Sequence, residues 1–296
     1  MGKTQADTTL EDAEKLWLGG EIQQAREAFR RARLLYHEVG DPAGEAAALT
    51  TLGDFEAETG HQAAARECFI DARKLFAGDG DQRDQASILV RLGQLAHRAG
   101  NPEEARQCYR SAAELYDSAS DHSGLAHVTK KLGNIERDCG RQDLALDRYG
   151  EALALYRRAN DTLGQAHALK AMASLHRHLS HRDRAHEEYE QAVELYRQAG
   201  DALGEAAALQ GLGHLLIGLG DRAQARKTLE AARHLFATSG HLKGEAEVLL
   251  DLGRLIATAE PNHARNHLHH ALQLFTRLGQ NEAAAEAERE LANFPG

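Results

Sequence analysis

The segment TLGDFEAETGHQAAARECFIDARKLF, residues 51–76, contains the pattern that decides the fold, because this pattern returns every 40 residues. A Leu-Gly pair or its equivalent recurs at Leu52-Gly53, Leu92-Gly93, Leu132-Gly133, Met172-Ala173, Leu212-Gly213 and Leu252-Gly253. In the first five segments an alanine follows 12 residues after the pair, and an aromatic residue or leucine follows four residues later. A fixed period in this range predicts a solenoid, in which each unit buries its apolar face against its neighbours.

Each 40-residue unit is predicted to contain two helices. In the second unit, Asp41 is expected to cap a helix whose first residue is Pro42, where a missing N–H costs nothing. This helix is expected to end near Glu58, and Gly60 is expected to supply the left-handed turn that follows.

The second helix of the same unit is predicted over residues 62–77, with Gly78 and Gly80 ending it. Asn101 and Pro102 repeat the cap-plus-proline start on the second helix of the next unit. The chain should therefore alternate a helix A and a helix B throughout.

Glycine inside the predicted helices requires a packing reason. Gly53 lies within a helix, where glycine costs about 1 kcal/mol relative to alanine. We expect a close approach of the partner helix that carries Ala65 and Phe69. A second column of glycines stands near the start of the first helices, at Gly44, Gly124, Gly164, Gly204 and Gly244.

Small residues at the crossing of the two helices, as in Leu52-Gly53, Ala65, Phe69 and Ala72, form the pattern of the tetratricopeptide repeat (TPR). The chain resembles the 40-residue class of this family over about residues 6–295. The resemblance implies an all-α fold, a right-handed TPR superhelix (α-solenoid) of seven helix-pair repeats plus a C-terminal capping helix. The class includes adaptors that couple G-protein α subunits to spindle machinery, and sensor arrays attached to bacterial signalling ATPases and transcription activators.

The repeats are expected to form one continuous domain over residues 1–296, because no Pro/Gly/Ser-rich linker interrupts them. Repeat 1 lacks the Leu-Gly pair, and repeat 7 has lost one residue near Glu260 and Pro261. Residues 283–294 are expected to form a lone polar helix that closes the array. The expected repeat boundaries are 6–40, 41–80, 81–120, 121–160, 161–200, 201–240 and 241–279, with a cap over 280–296.

Composition limits the classes of function and location. The formal net charge of −10 argues against nucleic-acid binding. The chain has no run of about 18 apolar residues and no apolar signal core, so we expect a soluble, cytoplasmic protein without a membrane segment. Cys68 and Cys108 occupy equivalent positions in adjacent repeats, about 10 Å apart and beyond disulfide reach. Met1 at the start argues mildly against an upstream nucleotide-binding domain.

In this family helix A of each repeat lines a concave groove, and the helical wheel indicates which residues face it. Over residues 86–99 the apolar side chains occupy one arc, and Ser87, Val90 and Arg91 begin the opposite arc. The same arc in repeats 3 to 5 holds seven Lys/Arg, four His and one acid. The expected groove residues are Arg91, Gln94, His97, Arg98, His127, Lys130, Lys131, Asn134, Arg137, His167, Lys170, Ser174, Arg177, His178, Gln210, His214, Ile217, Leu250 and Arg254.

This strip is basic at its centre, neutral to acidic in repeat 2, and largely apolar in repeats 6 and 7. It predicts a non-enzymatic protein–protein interaction scaffold that binds a partner's segment with acidic residues and a hydrophobic anchor. Two alternatives are a solvated helix face whose charges are incidental, and a site for a non-peptide anion. A different class of function is a sensory or inhibitory array that regulates a signalling ATPase or transcription factor.

One pair resembles a known peptide site. Chaperone-binding members of the family hold a peptide's terminal carboxylate with Lys and Asn four residues apart on one helix A, as Lys130 and Asn134 are. The family's clamp also needs Asn in the next repeat and Lys and Arg in the third, where this chain has Ala171, Ala207 and Gly211. The clamp is incomplete, so binding of chaperone tails is not expected.

A cluster of three histidines is a candidate metal site, and catalytic motifs are absent from the sequence. His263, His267 and His270 have a spacing that can hold Zn²⁺ or Ni²⁺. They stand beside core residues of a helix B with no carboxylate or thiol adjacent, so a solvated face is preferred and no metal is predicted. The chain has no G-x-S-x-G, P-loop or C-x-x-C motif. We predict no catalytic residue and no cofactor.

Leu10, Ala13 and Trp17 form an apolar row in repeat 1. A terminal repeat should be polar on its outer face. Trp17 either packs onto repeat 2 or belongs to an apolar patch for self-association or for docking another subunit. The sequence does not choose between these interpretations.

Overall fold

The computed structural model describes residues 2–79 and 82–292, which form fifteen helices and no strand. The helices are α1 (Gly2–Leu18), α2 (Ile22–Glu38), α3 (Pro42–Glu58), α4 (Gln62–Asp79), α5 (Gln82–Arg98), α6 (Pro102–Ser118), α7 (His122–Asp138), α8 (Gln142–Arg158), α9 (Thr162–His178), α10 (Arg182–Ala199), α11 (Ala202–Leu219), α12 (Arg222–Thr238), α13 (Leu242–Ile256), α14 (Pro261–Arg277) and α15 (Asn281–Ala292). The predicted all-α fold is confirmed.

The chain divides into two compact units, Met1–Arg148 and Tyr149–Gly296. In unit 1, α1 packs with α2, α3 with α4 and α5 with α6, and each pair also packs on the helix that follows it. In unit 2, α9 packs with α10, α11 with α12 and α13 with α14, and α15 closes on α14. Odd-numbered helices up to α13 are the predicted helices A, and even-numbered helices are the helices B.

Helix ends follow the capping residues in the sequence. The Asp41 side chain accepts a hydrogen bond from the Gly44 N–H at 3.0 Å, and α3 runs from Pro42 to Glu58 as predicted. Gly60 then turns the chain with a φ of +88°, which glycine adopts without strain. The same capping bond recurs from Gly124 to Asp121, from Gly164 to Asp161 and from Gly204 to Asp201.

Two predicted helix ends differ from the structure. Helix α4 continues through Gly78 to Asp79, because a glycine in a last turn costs only about 1 kcal/mol and need not end a helix. The predicted role of Gly80 lies outside the described residues. Asn101 precedes Pro102 as expected, but its side chain makes no capping hydrogen bond. The closing helix, predicted from residue 283, begins two residues earlier as α15.

Both glycine columns mark positions where a ring or leucine lies against a helix backbone. A Cβ atom at Gly53 would lie 2.5 Å from the Phe69 ring, which confirms the expected contact. In the second column, a Cβ atom at Gly124 would lie 2.5 Å from the Tyr116 ring. Residues of both columns therefore let helices approach more closely than alanine would allow.

Trp17 packs inside unit 1. Its ring makes edge-on contacts with Phe29 and Phe55, at centroid distances of 6.0 and 5.7 Å. Phe55 belongs to α3, so Trp17 packs onto repeat 2, and Leu10 contacts the same apolar cluster. These contacts favour the first of the two interpretations of the apolar row.

The three cysteines are free. Cys68 and Cys108 are half-buried and Cys139 is exposed. Burial raises the pKa of the Cys68 thiol to about 11, and burial also raises that of Cys108. The two buried thiols therefore stay protonated and unreactive near neutral pH.

Among the described residues, one helix, α11, has the length and apolar composition of a membrane-spanning helix. Its Leu212, Leu215 and Leu216 are buried in the core of unit 2, in one cluster with Leu229 of α12. Packing between helices therefore accounts for the apolar composition of α11.

Candidate functional site

The predicted groove residues of unit 1 lie on one partly open face of α5 and α7, here called the unit 1 face. Arg98 and Arg137 are exposed and the others are half-buried. The residues of the unit 1 face are Arg91, Gln94, His97, Arg98, His127, Lys130, Lys131, Asn134 and Arg137.

Ion pairs between neighbouring helices A neutralise several of these cations. Arg91 Nε donates to the Asp54 carboxylate at 2.9 Å, which joins α5 to α3. His97 Nε2 lies 3.0 Å from Asp138 Oδ2, which joins α5 to α7, and Arg137 also pairs with Asp138. The helical wheel misses these pairs because it does not give the register between helices. Opposite charges about 37 residues apart are the signal that would have indicated the first pair.

Two cavities open on the unit 1 face. The first, of about 300 Å³, is lined by Asp54, Ser87, Val90, Arg91, Gln94, Tyr116 and His127. The second, of about 220 Å³, is lined by Trp17, Asp54, Ala57, Glu58, Phe69, Arg91, Gln94, Leu95 and Arg98. The ion pair of Asp54 with Arg91 belongs to both cavities. Both cavities therefore combine apolar side chains with charged groups of both signs.

The remaining predicted residues lie in unit 2, on α9, α11 and α13. We call the following set the unit 2 face: His167, Lys170, Ser174, Arg177, His178, Gln210, His214, Ile217, Leu250 and Arg254. Lys170 Nζ lies 5.7 Å from the centre of the Tyr196 ring, a cation–π contact, and burial lowers the pKa of Lys170. The Tyr196 hydroxyl also lies 2.6 Å from His167 Nδ1.

A cavity of about 350 Å³ opens at the C-terminal part of the unit 2 face, lined by His214, Ile217, Arg222, Asp251, Arg254 and Leu255. His214 Nε2 lies 2.6 Å from Asp251 Oδ2. Arg254 pairs with Glu286 and Glu290 of α15, at 2.5 and 2.8 Å. Charged groups thus line a site that the sequence indicated as largely apolar.

Two apolar residues of the predicted arc are buried. Leu250 is 6% exposed and packs with Leu274, Phe275 and Ala287, because α15 covers this side of α13 and α14. Val90 is 7% exposed and contributes only to the wall of the 300 Å³ cavity. Leu250 is therefore not accessible to a ligand in this structure.

The departure from the chaperone-type clamp at Gly211 has a packing cause. A Cβ atom at Gly211 would lie 2.7 Å from the hydroxyl oxygen of Tyr189. An arginine, which the clamp needs at this position, would displace that ring. In this structure the Tyr189 ring occupies the space that a side chain at position 211 would need.

The sequence predicts no carboxylate beside the three histidines of α14, and the structure differs on this point. His263 Nδ1 lies 2.8 Å from Glu260 Oε2, so a carboxylate is adjacent to this face after all. Burial lowers the pKa of His267. Across residues 2–79 and 82–292, no group of three or more His, Cys, Asp or Glu side chains is arranged to hold a metal ion.

One family model described as tetratricopeptide repeat matches residues 63–118, 84–158 and 124–198. A second model with the same description matches residues 206–232. Together they cover more than half of the chain. The chain belongs to the tetratricopeptide repeat family. Repeats of this family generally serve as non-catalytic interaction modules. None of the curated proteins is significantly similar to this TPR chain in sequence.

Several solved structures share the fold. Aspartyl phosphate phosphatase F from Bacillus subtilis aligns with a TM-score of 0.68 and 12% identity, over 92% of this chain and 69% of that one. The apo form of the quorum sensor NprR from B. thuringiensis gives 0.64 and 12%, over 97% and 86%. A Rap protein complexed with competence and sporulation factor gives 0.60 and 14%, over 98% and 97%. At these identities the similarity establishes the TPR fold alone.

Proposed function

We propose that this TPR protein is a non-enzymatic protein–protein interaction scaffold, and that it binds a partner segment with acidic residues and a hydrophobic anchor on its helix A faces. The observation that carries the proposal is the uneven pairing of charge on those faces. Arg91 and Arg254 are held by carboxylates. Arg98 and Arg177 have no ion pair with any described residue, and the buried Nε of Arg177 has no hydrogen-bond partner.

An acidic segment would supply the counter-charge that these arginines lack. Arginine side chains, above all the half-buried Arg177, are stabilised when a carboxylate accepts their N–H groups. The neighbouring cavities suit the hydrophobic anchor, because the 220 Å³ cavity has Trp17, Phe69 and Leu95 among its lining residues. The three free cysteines favour the cytoplasm as the place of action.

A charge-reversal variant tests the proposal. Lys130, Arg137, Lys170 and Arg177 are changed together to Glu, and capture of partners from the native source is compared with wild type. A captured protein is then purified, and its dissociation constant is measured against salt. We expect the variant to lose most of its affinity, since each exposed ionic contact contributes roughly 0–1 kcal/mol. Affinity of the wild type should fall as the Debye length shrinks from about 10 Å at 0.1 M salt to about 3 Å at 1 M.

The control variant reverses the same number of charges on helices B, so that both variants have equal net charge. Its changes are Arg30, Arg110, Arg157 and Arg158 to Glu, all exposed positions. Full affinity in the helix A variant, or an equal loss in both variants, would show that the helix A faces are solvated surface.

A second candidate function is a sensory array, favoured by two structures that share the fold. One is a quorum sensor and the other is bound to competence and sporulation factor. In this case a short acidic peptide would bind one face and release a larger protein partner. Adding such a peptide to the purified complex distinguishes the functions, because a scaffold shows simple competition at one shared site. A sensor releases its partner even when the partner's own contacts lie elsewhere.

A further inference from the structure

A groove of about 320 Å³ lies on the surface of unit 2 between two helices B, α10 and α12. Both helices pack on α11, whose Leu209 and Leu212 form the floor of the groove. None of the residues that line it belongs to the unit 2 face. We call this feature the helix B groove, and it is a second surface of unit 2 with its own chemistry.

Each wall of the helix B groove is one side of a helix. The α10 wall consists of Glu190, Val193, Glu194 and Arg197. The α12 wall consists of Gln224, Lys227, Thr228 and Ala231. Both sets have the spacing i, i+3, i+4 and i+7, which covers about two turns, or roughly 10 Å, of a helix. The groove therefore follows the two helices for that length.

Short side chains leave the floor of the groove open. Val193 stands where α4 and α12 have Arg73 and Arg233, and Ala231 stands where α10 has Gln191. A longer side chain at either position would reach over the floor. One of the two floor leucines is consequently only half-buried. An apolar side chain of a ligand would remove this floor from water, which is favourable.

The two walls have opposite charge. Glu190 and Glu194 are exposed and stand four residues apart on α10. Glu190 lies 3.4 Å from His186, which does not line the groove. On α12, Lys227 is exposed and forms no ion pair with any described residue. A ligand in the groove therefore meets carboxylates on one side and an ammonium group on the other.

Arg197 does not reverse the charge of the α10 wall. Its guanidinium pairs with Glu205 at 2.7 Å and with Glu194 at 3.1 Å. Because Glu205 holds Arg197 from outside the groove, a basic ligand can share the carboxylate of Glu194 without leaving this arginine unpaired.

The backbone of the walls favours a helical ligand. The N–H and C=O groups of α10 and α12 are used within these helices. An extended segment would leave its own N–H and C=O groups without partners beside apolar side chains, at a cost in free energy. A helix satisfies these groups internally, and an amphipathic helix in an apolar groove is a common mode of recognition.

We propose that the helix B groove binds an amphipathic helix of a partner protein, at a site separate from the helix A faces. The apolar side chains of this helix cover the floor. Basic side chains on one flank, four residues apart, pair with Glu190 and Glu194, and an acidic side chain on the other flank pairs with Lys227. This ligand differs in shape and charge from the acidic segment proposed for the helix A faces.

Peptides of equal composition test the arrangement of charge. The peptide AAELKAELKELKAELK places its leucines on one side of a helix, its lysines along one flank and its glutamates along the other. The peptide AAKLKAELEKLKAELE keeps the leucines but mixes both charges on each flank. A hydrocarbon staple on the solvent side keeps both peptides helical, and a fluorescein label reports binding to the full chain by anisotropy. We expect the first peptide to bind about tenfold more tightly, the combined effect of a few surface ion pairs.

A third peptide tests the helical form of the ligand. It has the sequence of the first peptide with a central proline and no staple, so it cannot form a continuous helix. We expect its binding to be at least about tenfold weaker than that of the first peptide, because an extended segment finds no backbone partner in the groove.

Filling the groove locates the binding site. Ala231→Trp should abolish binding of the first peptide, because the ring would cover the floor. Ala231 is exposed, so this variant should fold normally, which circular dichroism checks. Gln191→Trp is the matched control, since it adds the same ring at the equivalent exposed position of α10, outside the groove. This control should keep full affinity.

A second pair of variants tests the charges. Glu190→Gln combined with Glu194→Gln should remove most of the tenfold preference for the first peptide. Asp183→Asn combined with Glu187→Gln removes the same charge from exposed positions of α10 that do not line the groove, and it should keep the preference.

The inference is overturned if no peptide binds, if the two stapled peptides bind alike, or if Ala231→Trp keeps full affinity. Equal binding of the proline peptide would mean that the groove takes an extended segment. Sedimentation of the unliganded chain tests another occupant, because self-association that Ala231→Trp prevents would show a second copy in the groove. Either result rejects a partner helix. The charge-reversal test of the proposed function changes only helices A, so the two proposals can fail independently.

Discussion

Single glycines on α11 show how closely the helices of this fold approach each other. A Cβ atom at Gly213 would lie 2.6 Å from Leu229 of α12, whereas a Cβ atom at Gly218 would have no neighbour within 4 Å. Both glycines lie within the same helix and neither has a positive φ. They separate the packing role of glycine from its intrinsic effect on helix stability.

Alanine substitutions at these two positions should change stability in opposite directions. Gly218→Ala should raise the free energy of unfolding by up to about 1 kcal/mol, because alanine loses less backbone entropy in a helix. Gly213→Ala should lower it by roughly 1–3 kcal/mol, since the methyl group would displace Leu229. Urea denaturation followed by circular dichroism measures both. A stabilising effect of Gly213→Ala would disprove the close packing at this crossing.

Residues of this kind could be predicted from the sequence because their cause is local and repeated. Asp41, Gly53 and Gly60 each follow from a capping, packing or turn requirement that recurs every 40 residues. The pairing of Arg91 with Asp54 could not be predicted, because it depends on the register between α3 and α5. The burial of Leu250 could not be predicted from the helical wheel either, because it depends on how α15 packs against α13 and α14.

At the scale of the helices, one buried polar position of helix A carries different residue types in different repeats. Glu56 and Glu136 are buried at this position of α3 and α7, and each accepts a hydrogen bond from an arginine of the preceding helix B. On α9 the same position is His176, whose Nδ1 lies 2.7 Å from Glu188 Oε2 on α10. Burial raises the pKa of Glu188, and the hydrogen bond with His176 opposes the rise. The hydrogen bond of the pair therefore opposes the protonation of Glu188 that burial favours.

Repeat 6 supplies a matched replacement, because Leu216 and Thr228 occupy the positions of His176 and Glu188. His176→Leu alone should lower the free energy of unfolding by roughly 1–3 kcal/mol, since it leaves a half-buried carboxylate without its partner. The double variant His176→Leu with Glu188→Thr should recover most of that loss. Chemical denaturation of wild type, both single variants and the double variant gives the coupling energy.

The free energy of unfolding that His176→Leu loses should depend on pH in a defined direction. Without His176 the pKa of Glu188 rises further, so the folded state binds the proton more tightly than the unfolded chain does. The resulting destabilisation is present above the raised pKa and disappears as the pH falls below the unfolded value of about 4.3. The stability difference between His176→Leu and the double variant should therefore shrink between pH 7.5 and about pH 4. A constant difference would show that loss of packing, not an unpaired charge, is the cause.

At the scale of the whole molecule, each unit gains its core by stacking helices on their neighbours. The last element of unit 2, α15, buries Ala287 against a cluster that contains Leu250, Leu274 and Phe275. It also supplies two carboxylates to Arg254. Its removal would expose the end of the stack.

A chain that ends at Gln280 should be less stable by roughly 2–4 kcal/mol, because it exposes several leucine and phenylalanine side chains that contribute about 1.5–3 kcal/mol each when fully buried. Glu286→Gln combined with Glu290→Gln should cost less than about 1 kcal/mol, since it removes only the exposed ion pairs. Thermal and urea denaturation of both variants distinguish apolar packing from charge. Equal stability of the shortened chain and wild type would show that α15 is not part of the core.

The glycine contacts described above also have an evolutionary consequence. They join residues at fixed separations, 16 from Gly53 to Phe69 and 8 from Tyr36 to Gly44, and these separations recur in later repeats. Unequal recombination that duplicated or deleted 40 residues would therefore preserve every such contact on either side of the junction. It would change only the order in which Asp54, Arg98 and their counterparts follow one another. New ligand specificity could thus arise by shuffling whole repeats, with no need to redesign the core.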